Sequence, residues 1–361
     1  MNQLFKGKKV LTLVVMALVL FLTACGGGGT QNAGTTKSED APEDTGKTHN
    51  LIISHFLPGN HPIQTQLFEE FGKTLNEGSN GRITQELYPS NALGDAGAHY
   101  DMAVTGEANI ALSVYGYTPG RFPSVSVLEL PFLAESAVHG SKIVQTLYNE
   151  FPEVQKEHSE THPLFLFTAE PAQLLSIKHK IEKPEDLKGL RVRTPSPTGS
   201  AVLEALGATA VSMPMGEVYE ALQRGVVDAA MVPLETLKNY NFHEIVKYVT
   251  IGNFSATPFY SVMNQATYDD FSDSDKKLVD SLSGLPMSEK AGAIFDNDGK
   301  TGLEMVVKNG AEVIELTGDK LAPWEKALEP VAQKWVEDMK AKGLPAQEIY
   351  DRAIELKAEL K

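Results

Sequence analysis

The chain has 361 residues, with 47 acidic side chains against 32 basic ones and a formal net charge of −15. This balance argues against a nucleic-acid partner, because phosphate backbones are bound through an excess of Lys and Arg. Cys25 is the single cysteine, which excludes an intramolecular disulfide and any multi-cysteine metal site.

Lys6, Lys8 and Lys9 precede an apolar run over residues 10–22 that closes in Leu22-Thr23-Ala24-Cys25. A basic start, a short apolar core and a small-residue end form a secretory signal. The run is too short for a spanning helix, which takes roughly 20 apolar residues. The closing tetrapeptide resembles a bacterial lipobox, in which cleavage leaves the cysteine first and its sulfur carries a diacylglycerol. Stable tethering then requires several acyl chains, since each buried methylene contributes only ~0.8 kcal/mol. Loss of residues 1–24, with three lysines and no acidic residue, takes the formal charge from −15 to −18. Residues 25–47 are Gly, Thr, Ser, Asp, Glu and Pro with almost nothing apolar, a composition that reads as a lipidated, flexible tether. The expected location is outside the cytoplasm, lipid-anchored to the outer face of the cell membrane or periplasmic.

Beyond the tether, strand and helix patterns alternate. A strand is predicted over 51–56. A helix over 62–76 follows, with Ile63, Leu67, Phe71 and Leu75 on one face, and then a strand over 83–88. Further helices fall at 95–105 and 136–150, with strands at 108–114 and 164–167. A second series begins with strands at 174–178, 190–193 and 226–232, and with helices at 198–206 and 217–223. Another strand falls at 257–264. After Ser274 helical periodicity dominates, ending in two amphipathic stretches within 323–361. The rhythm predicts an α/β fold of parallel sheets flanked by helices, arranged as two lobes with a ligand cleft between them and a helical C-terminus. Lobe I is assigned to 48–170, completed by about 256–290. Lobe II is assigned to 171–255, completed by about 291–361.

Several motif-like strings fail on context. Gly46-Lys47-Thr48 and Gly299-Lys300-Thr301 end like phosphate loops, but the glycine required five residues earlier is Ala41 or Ile294. His243-Glu244 opens a zinc-protease pattern, yet Lys247 stands where the second imidazole belongs. No Gly-x-Ser-x-Gly elbow occurs, and Asp296-Asn297-Asp298-Gly299 lacks the remaining ligands of a calcium loop. The chain therefore reads as a binding protein without cofactor, metal or covalent chemistry.

The informative block is Pro184-Glu185-Asp186-Leu187-Lys188-Gly189-Leu190-Arg191-Val192-Arg193-Thr194-Pro195. Side chains alternate along a strand, so Arg191 and Arg193 share one face and Leu190 and Val192 the other. Arg193 comes last, just before the proline turn, where a strand end meets a cleft. A guanidinium there offers a planar fork of donors that matches the two oxygens of a carboxylate.

This block resembles the solute-binding component of tripartite ATP-independent periplasmic (TRAP) transporters, the DctP-type receptors. The resemblance runs through Tyr88-Pro89-Ser90-Asn91-Ala92-Leu93-Gly94-Asp95, Leu130-Pro131-Phe132, the 187–193 run, Glu217-Val218-Tyr219-Glu220-Ala221-Leu222-Gln223 and Gly225-Val226-Val227-Asp228, in that order. It implies that Arg193 clamps the carboxylate of a small organic acid, whereas Arg191 matches a variable position. Gln173 stands where sugar-acid receptors carry a second arginine, and Met231 and Val232 precede Pro233 where those receptors are polar, implying a less hydroxylated ligand. Phe56, Tyr115, Tyr117 and Met215 match other cleft positions, and His61 and Ser196 are further candidates. The aromatic residues suit a monocarboxylate of the 2-oxo, 2-hydroxy or aromatic type. The resemblance further implies lobe closure and delivery to the membrane subunits of an ion-gradient-driven permease. Delivery to a sensory kinase, or a tethered extracellular enzyme, are the alternative expectations.

Overall fold

The computed structural model describes residues 46–360; the signal over 1–24 and the lipidation position Cys25 lie outside them. In chain order the strands are β1 (His49–His55), β2 (Ile83–Tyr88), β3 (Ile110–Val114), β4 (Thr161–Thr168), β5 (Ala172–Ser176), β6 (Arg191–Thr194), β7 (Thr209–Ser212), β8 (Ala229–Val232), β9 (Tyr248–Ser255), β10 (Pro258–Asn264) and β11 (Glu312–Glu315). They form a five-stranded sheet ordered β2-β1-β3-β10-β4 and a six-stranded sheet ordered β11-β9-β5-β8-β6-β7. The protein is a two-lobed α/β fold with one lobe on each sheet and a helical C-terminus.

The expectation of parallel sheets needs correction. In the first sheet β1 runs parallel to β2 and β3, but β10 is antiparallel to β3 and β4. In the second, β5 is antiparallel to both β8 and β9. The cause is the route of the chain, which leaves the first sheet between β4 and β5 and returns between β9 and β10. The two crossings are tied together where the Ala169 amide donates to the Thr257 carbonyl at 3.0 Å.

Capping explains where two of the helices begin. Ser136 accepts from the His139 amide to start Ala137–Glu150, and Ser196 accepts from the Gly199 amide to start Pro197–Ala205. The helix predicted over 62–76 opens with a π-helical stretch, Ile63–Phe68, before continuing as Glu69–Gly78.

The 24-residue helix Leu285–Lys308 lies against β4 of the first sheet and against the helices Ala137–Glu150 and Thr236–Asn239. At Gly292 it approaches the start of Ala137–Glu150 so closely that a Cβ would meet the Ala137 carbonyl carbon at 2.8 Å. Its Asp296 carboxylate accepts from the Ala137 and Val138 amides at 2.7 and 3.1 Å. Two residues later, Asp298 accepts from Lys238 and Asn239 at 2.8 and 2.9 Å. Among the described residues no helix is long and apolar enough to cross a membrane.

Candidate ligand-binding site

In open α/β sheets ligands sit beyond the carboxyl ends of the strands. Here the ends of β1, β3, β6 and β8 converge with the start of β10 on a cavity of about 20 Å³, room for one water rather than an organic acid. Phe56 and Leu57 follow β1, Tyr117 follows β3, Pro195 follows β6, and Pro233, Glu235 and Tyr240 follow β8. Met215, Thr257 and Phe259 complete the wall. The aromatic side is continuous: Phe56 meets Tyr117 edge-on at 5.4 Å and stacks on Phe259 at 6.0 Å, which in turn stacks on Phe167 at 4.9 Å.

Arg193 is 1% exposed. Its Nε and Nη2 donate to the Met213 carbonyl oxygen at 2.9 and 2.7 Å, and Nη2 lies 3.4 Å from the Tyr117 hydroxyl. No carboxylate of the described residues comes within 4.0 Å of it. Burial pulls the guanidinium below its ordinary pKa, against the opposing field of Tyr117. A buried charge is costly without a paired, hydrogen-bonded counter-charge, and the described carboxylates do not supply one. Arg191 has another fate. It is exposed at the outer end of β6 and pairs with Asp228 at 2.9 Å.

Opposite in charge, Glu235 is 3% exposed. Its Oε2 accepts from Asn239 at 2.8 Å and lies 3.4 Å from His61 Nε2. The Ile63 amide donates to His61 Nδ1 at 3.1 Å, which sets the ring at the mouth of the π-helical turn. The Glu235 amide donates to Glu170 Oε1 at 2.6 Å, and burial, reinforced by Glu235, holds the Glu170 carboxyl well above its ordinary pKa. Burial also pushes the hydroxyls of Tyr117 and Tyr240 upward.

Of the residues expected from sequence, Phe56, Tyr117, Arg193 and Met215 line the cavity, and His61 stands behind Glu235. Five do not reach it. Tyr115 points into the core, packed on Phe122 and Tyr260, and its hydroxyl meets His158 Nε2 at 2.6 Å. Ser196 gives its hydroxyl to Glu129 and caps the following helix. Gln173 is consumed at a register shift between β5 and β9: it accepts from the Gly252 and Asn253 amides and donates to the Asn253 side chain and the Pro171 carbonyl. Met231 and Val232 are core residues of β8, at 2% and 1% exposure.

Sequence reasoning missed Glu235, Tyr240, Thr257 and Phe259. The available signal was Pro233, which ends β8 at the cleft just before Glu235. A larger groove of about 710 Å³ lies between Pro197–Ala205 and Ala322–Ala341. Its cations, Lys334 and Lys342, are exposed, so it lacks the buried, unpaired charge that marks the smaller cavity.

Residues 53–338 match the family of bacterial extracellular solute-binding proteins, family 7, or DctP. A solute-binding protein of Albidiferax ferrireducens is 25% identical over 296 residues, covering 80% of this chain and 87% of that one. The 2,3-diketo-L-gulonate-binding periplasmic protein of Escherichia coli is 26% identical over 205 residues, which span 56% of this chain and 62% of that protein. Among solved structures, the chain is similar to a TRAP solute-binding protein of an unidentified marine microbe, specific for aromatic acid ligands and complexed with metahydroxyphenylacetate. The TM-score is 0.83 at 29% identity, covering 86% of this chain and 99% of that one. It is also similar to a TRAP solute-binding protein of Rhodoferax ferrireducens complexed with copurified benzoate, with TM-score 0.83 at 27% identity and coverage of 86% and 98%.

Proposed function

This chain belongs to the DctP family, the bacterial extracellular solute-binding proteins of family 7, and from that premise we propose that it captures an aromatic monocarboxylate for a TRAP permease. The observation that carries the reading is Arg193, a buried guanidinium with a donor to spare and no carboxylate of the described residues beside it. Phe56, Tyr117 and Phe259 supply the apolar faces an aromatic body needs. The aromatic acids bound by two similar receptors support the same choice.

Binding requires more room than the cavity of about 20 Å³ offers. The lobes, assigned to 48–170 with 256–290 and to 171–255 with 291–361, therefore part and close about the crossings at Ala169 and Thr257, a hinge motion. The closed form docks on the membrane subunits, whose transport is driven by an ion gradient. Export through the signal over 1–24 and lipidation of Cys25 hold the receptor at the membrane, with residues 26–47 as the tether.

The test is a thermal-shift screen of refolded receptor against organic acids, since a ligand that binds only the native state raises its midpoint. Stabilisation by benzoate-type acids is expected. A folded receptor indifferent to every carboxylate would overturn the reading.

A further inference from the structure

Three polar atoms on the cavity wall make no hydrogen bond with the described residues, and they make different demands. Arg193 Nη1 is a donor left over after Nε and Nη2 are spent on Met213 and Tyr117. Glu235 Oε1 is an acceptor left over after Oε2 takes Asn239, with His61 Nε2 at 3.4 Å from that same Oε2. The Tyr240 hydroxyl, fully buried, can do either. A plain aromatic acid answers the first demand only. Its carboxylate satisfies Arg193, and its C–H edge leaves the Glu235 oxygen and the Tyr240 hydroxyl unpaired. An unsatisfied buried polar group costs about 1–3 kcal/mol.

Glu235 is moreover held in position. Asn239 donates to its Oε2, His61 packs against that oxygen with Nε2 at 3.4 Å, and its own amide is tied to Glu170 Oε1. An acceptor so fixed is poised to read a ligand group rather than to swing away from it.

We propose that Glu235, assisted by Tyr240, is a specificity-determining residue that reads a hydrogen-bond donor on the ligand, so that the preferred substrates are hydroxy- or amino-substituted aromatic acids rather than unsubstituted ones. This rests on the carboxylate reading of Arg193 and adds a second recognition point to the same cavity.

The test is calorimetric titration of the receptor with benzoate and with the 2-, 3- and 4-isomers of hydroxybenzoate and aminobenzoate. In the wild type at least one donor-bearing isomer is expected to bind about tenfold or more tighter than benzoate, that is, by about 1.4 kcal/mol. The hydroxy and amino series then show which donor is preferred. Glu235→Ala is expected to cut that preference to about twofold or less, the substituted acids losing affinity relative to benzoate. Glu235→Gln retains the shape and one acceptor, so it preserves part of the hydroxyl preference and guards against a misfolded alanine variant; unfolding temperatures verify both. Benzoate binding as tightly as every substituted isomer overturns this inference and leaves the carboxylate reading standing. A preference that survives in folded Glu235→Ala and Glu235→Gln alike also overturns it. Failure of all seven acids to bind folded wild-type receptor removes both readings together.

Discussion

The Met213 carbonyl oxygen accepts two hydrogen bonds from Arg193, at 2.9 Å from Nε and 2.7 Å from Nη2. One backbone oxygen just beyond β7 thus fixes the plane of the guanidinium and leaves Nη1 for a ligand. Arg193→Ala is expected to weaken carboxylate binding by about 2–5 kcal/mol, because the carboxylate loses its partner in a desolvated site. Arg193→Lys should lose nearly as much, since a compact ammonium lacks the planar set of donors that holds Met213 from one side while aiming Nη1 at the ligand. Titration calorimetry on folded variants decides the point, and wild-type affinity in either would refute the assignment.

Gly116 lies against the turn that follows β6. A Cβ there would meet Ser196 Cβ at 2.6 Å and the Pro195 carbonyl oxygen at 3.1 Å. The neighbouring Tyr117 hydroxyl accepts from the Met215 amide at 2.9 Å across the same junction. Gly116→Ala must therefore push the two loops apart, and a ligand held from both sides loses contact. We expect affinity to fall about tenfold, or 1.4 kcal/mol, with thermal stability nearly unchanged. Small-angle scattering in saturating ligand should show a more open particle; a variant as compact and tight-binding as wild type would contradict this role.

Much of the fold and the anchor of the site were legible in the sequence because both rest on local pattern. The strand Ile83–Tyr88 fell at its predicted bounds, and Arg193 was singled out by its place before Pro195. What escaped depended on partners distant in the chain. Tyr115 and Tyr117 both follow β3, but a 3-10 turn sends one toward His158 in the core and the other to the cavity. Gln173 was misread because β9, whose irregular pairing consumes it, carries Gly252 and a positive-φ Asn253 that obscure its strand pattern. The four-residue β7 and β11 are the edge strands of the second sheet and mostly exposed or half-buried, so they lack the buried apolar run that marks β8. Glu235 acquires its place only through His61 and Glu170, each from a different part of the chain.

The proposed membrane tether rests on Cys25. Cys25→Ser should abolish labelling by a radioactive fatty acid and either release the mature protein or leave the precursor uncleaved. Fractionation together with labelling reads both outcomes, and retained lipid label in the serine variant would exclude the lipobox.

The Ser196 hydroxyl donates to Glu129, whose carboxyl group is raised to about 7 by burial, with Ser196 and the Gly199 amide opposing. Below pH 4.5 both folded and unfolded states hold this proton, and above 7 neither does. Between those values the folded state binds the extra proton, so stability falls as pH rises through the window. The shift from 4.5 to about 7 corresponds to about 3 kcal/mol across the window. Glu157, also raised to about 7 by burial, acts in the same direction. His55, His99 and His158, each lowered to about 4 chiefly by burial, act in the opposite one, adding stability as pH rises from about 4 to 6.5. The whole-protein profile therefore mixes opposing slopes, and the informative quantity is a difference. Glu129→Gln cannot ionise, so its stability relative to wild type should climb by up to about 3 kcal/mol between pH 4.5 and 7 and stay level above. Denaturant titrations of both proteins at half-unit intervals give that difference directly. A flat curve would mean that Glu129 ionises in the folded protein as it does in the unfolded chain, and that its contact with Ser196 does not depend on the proton.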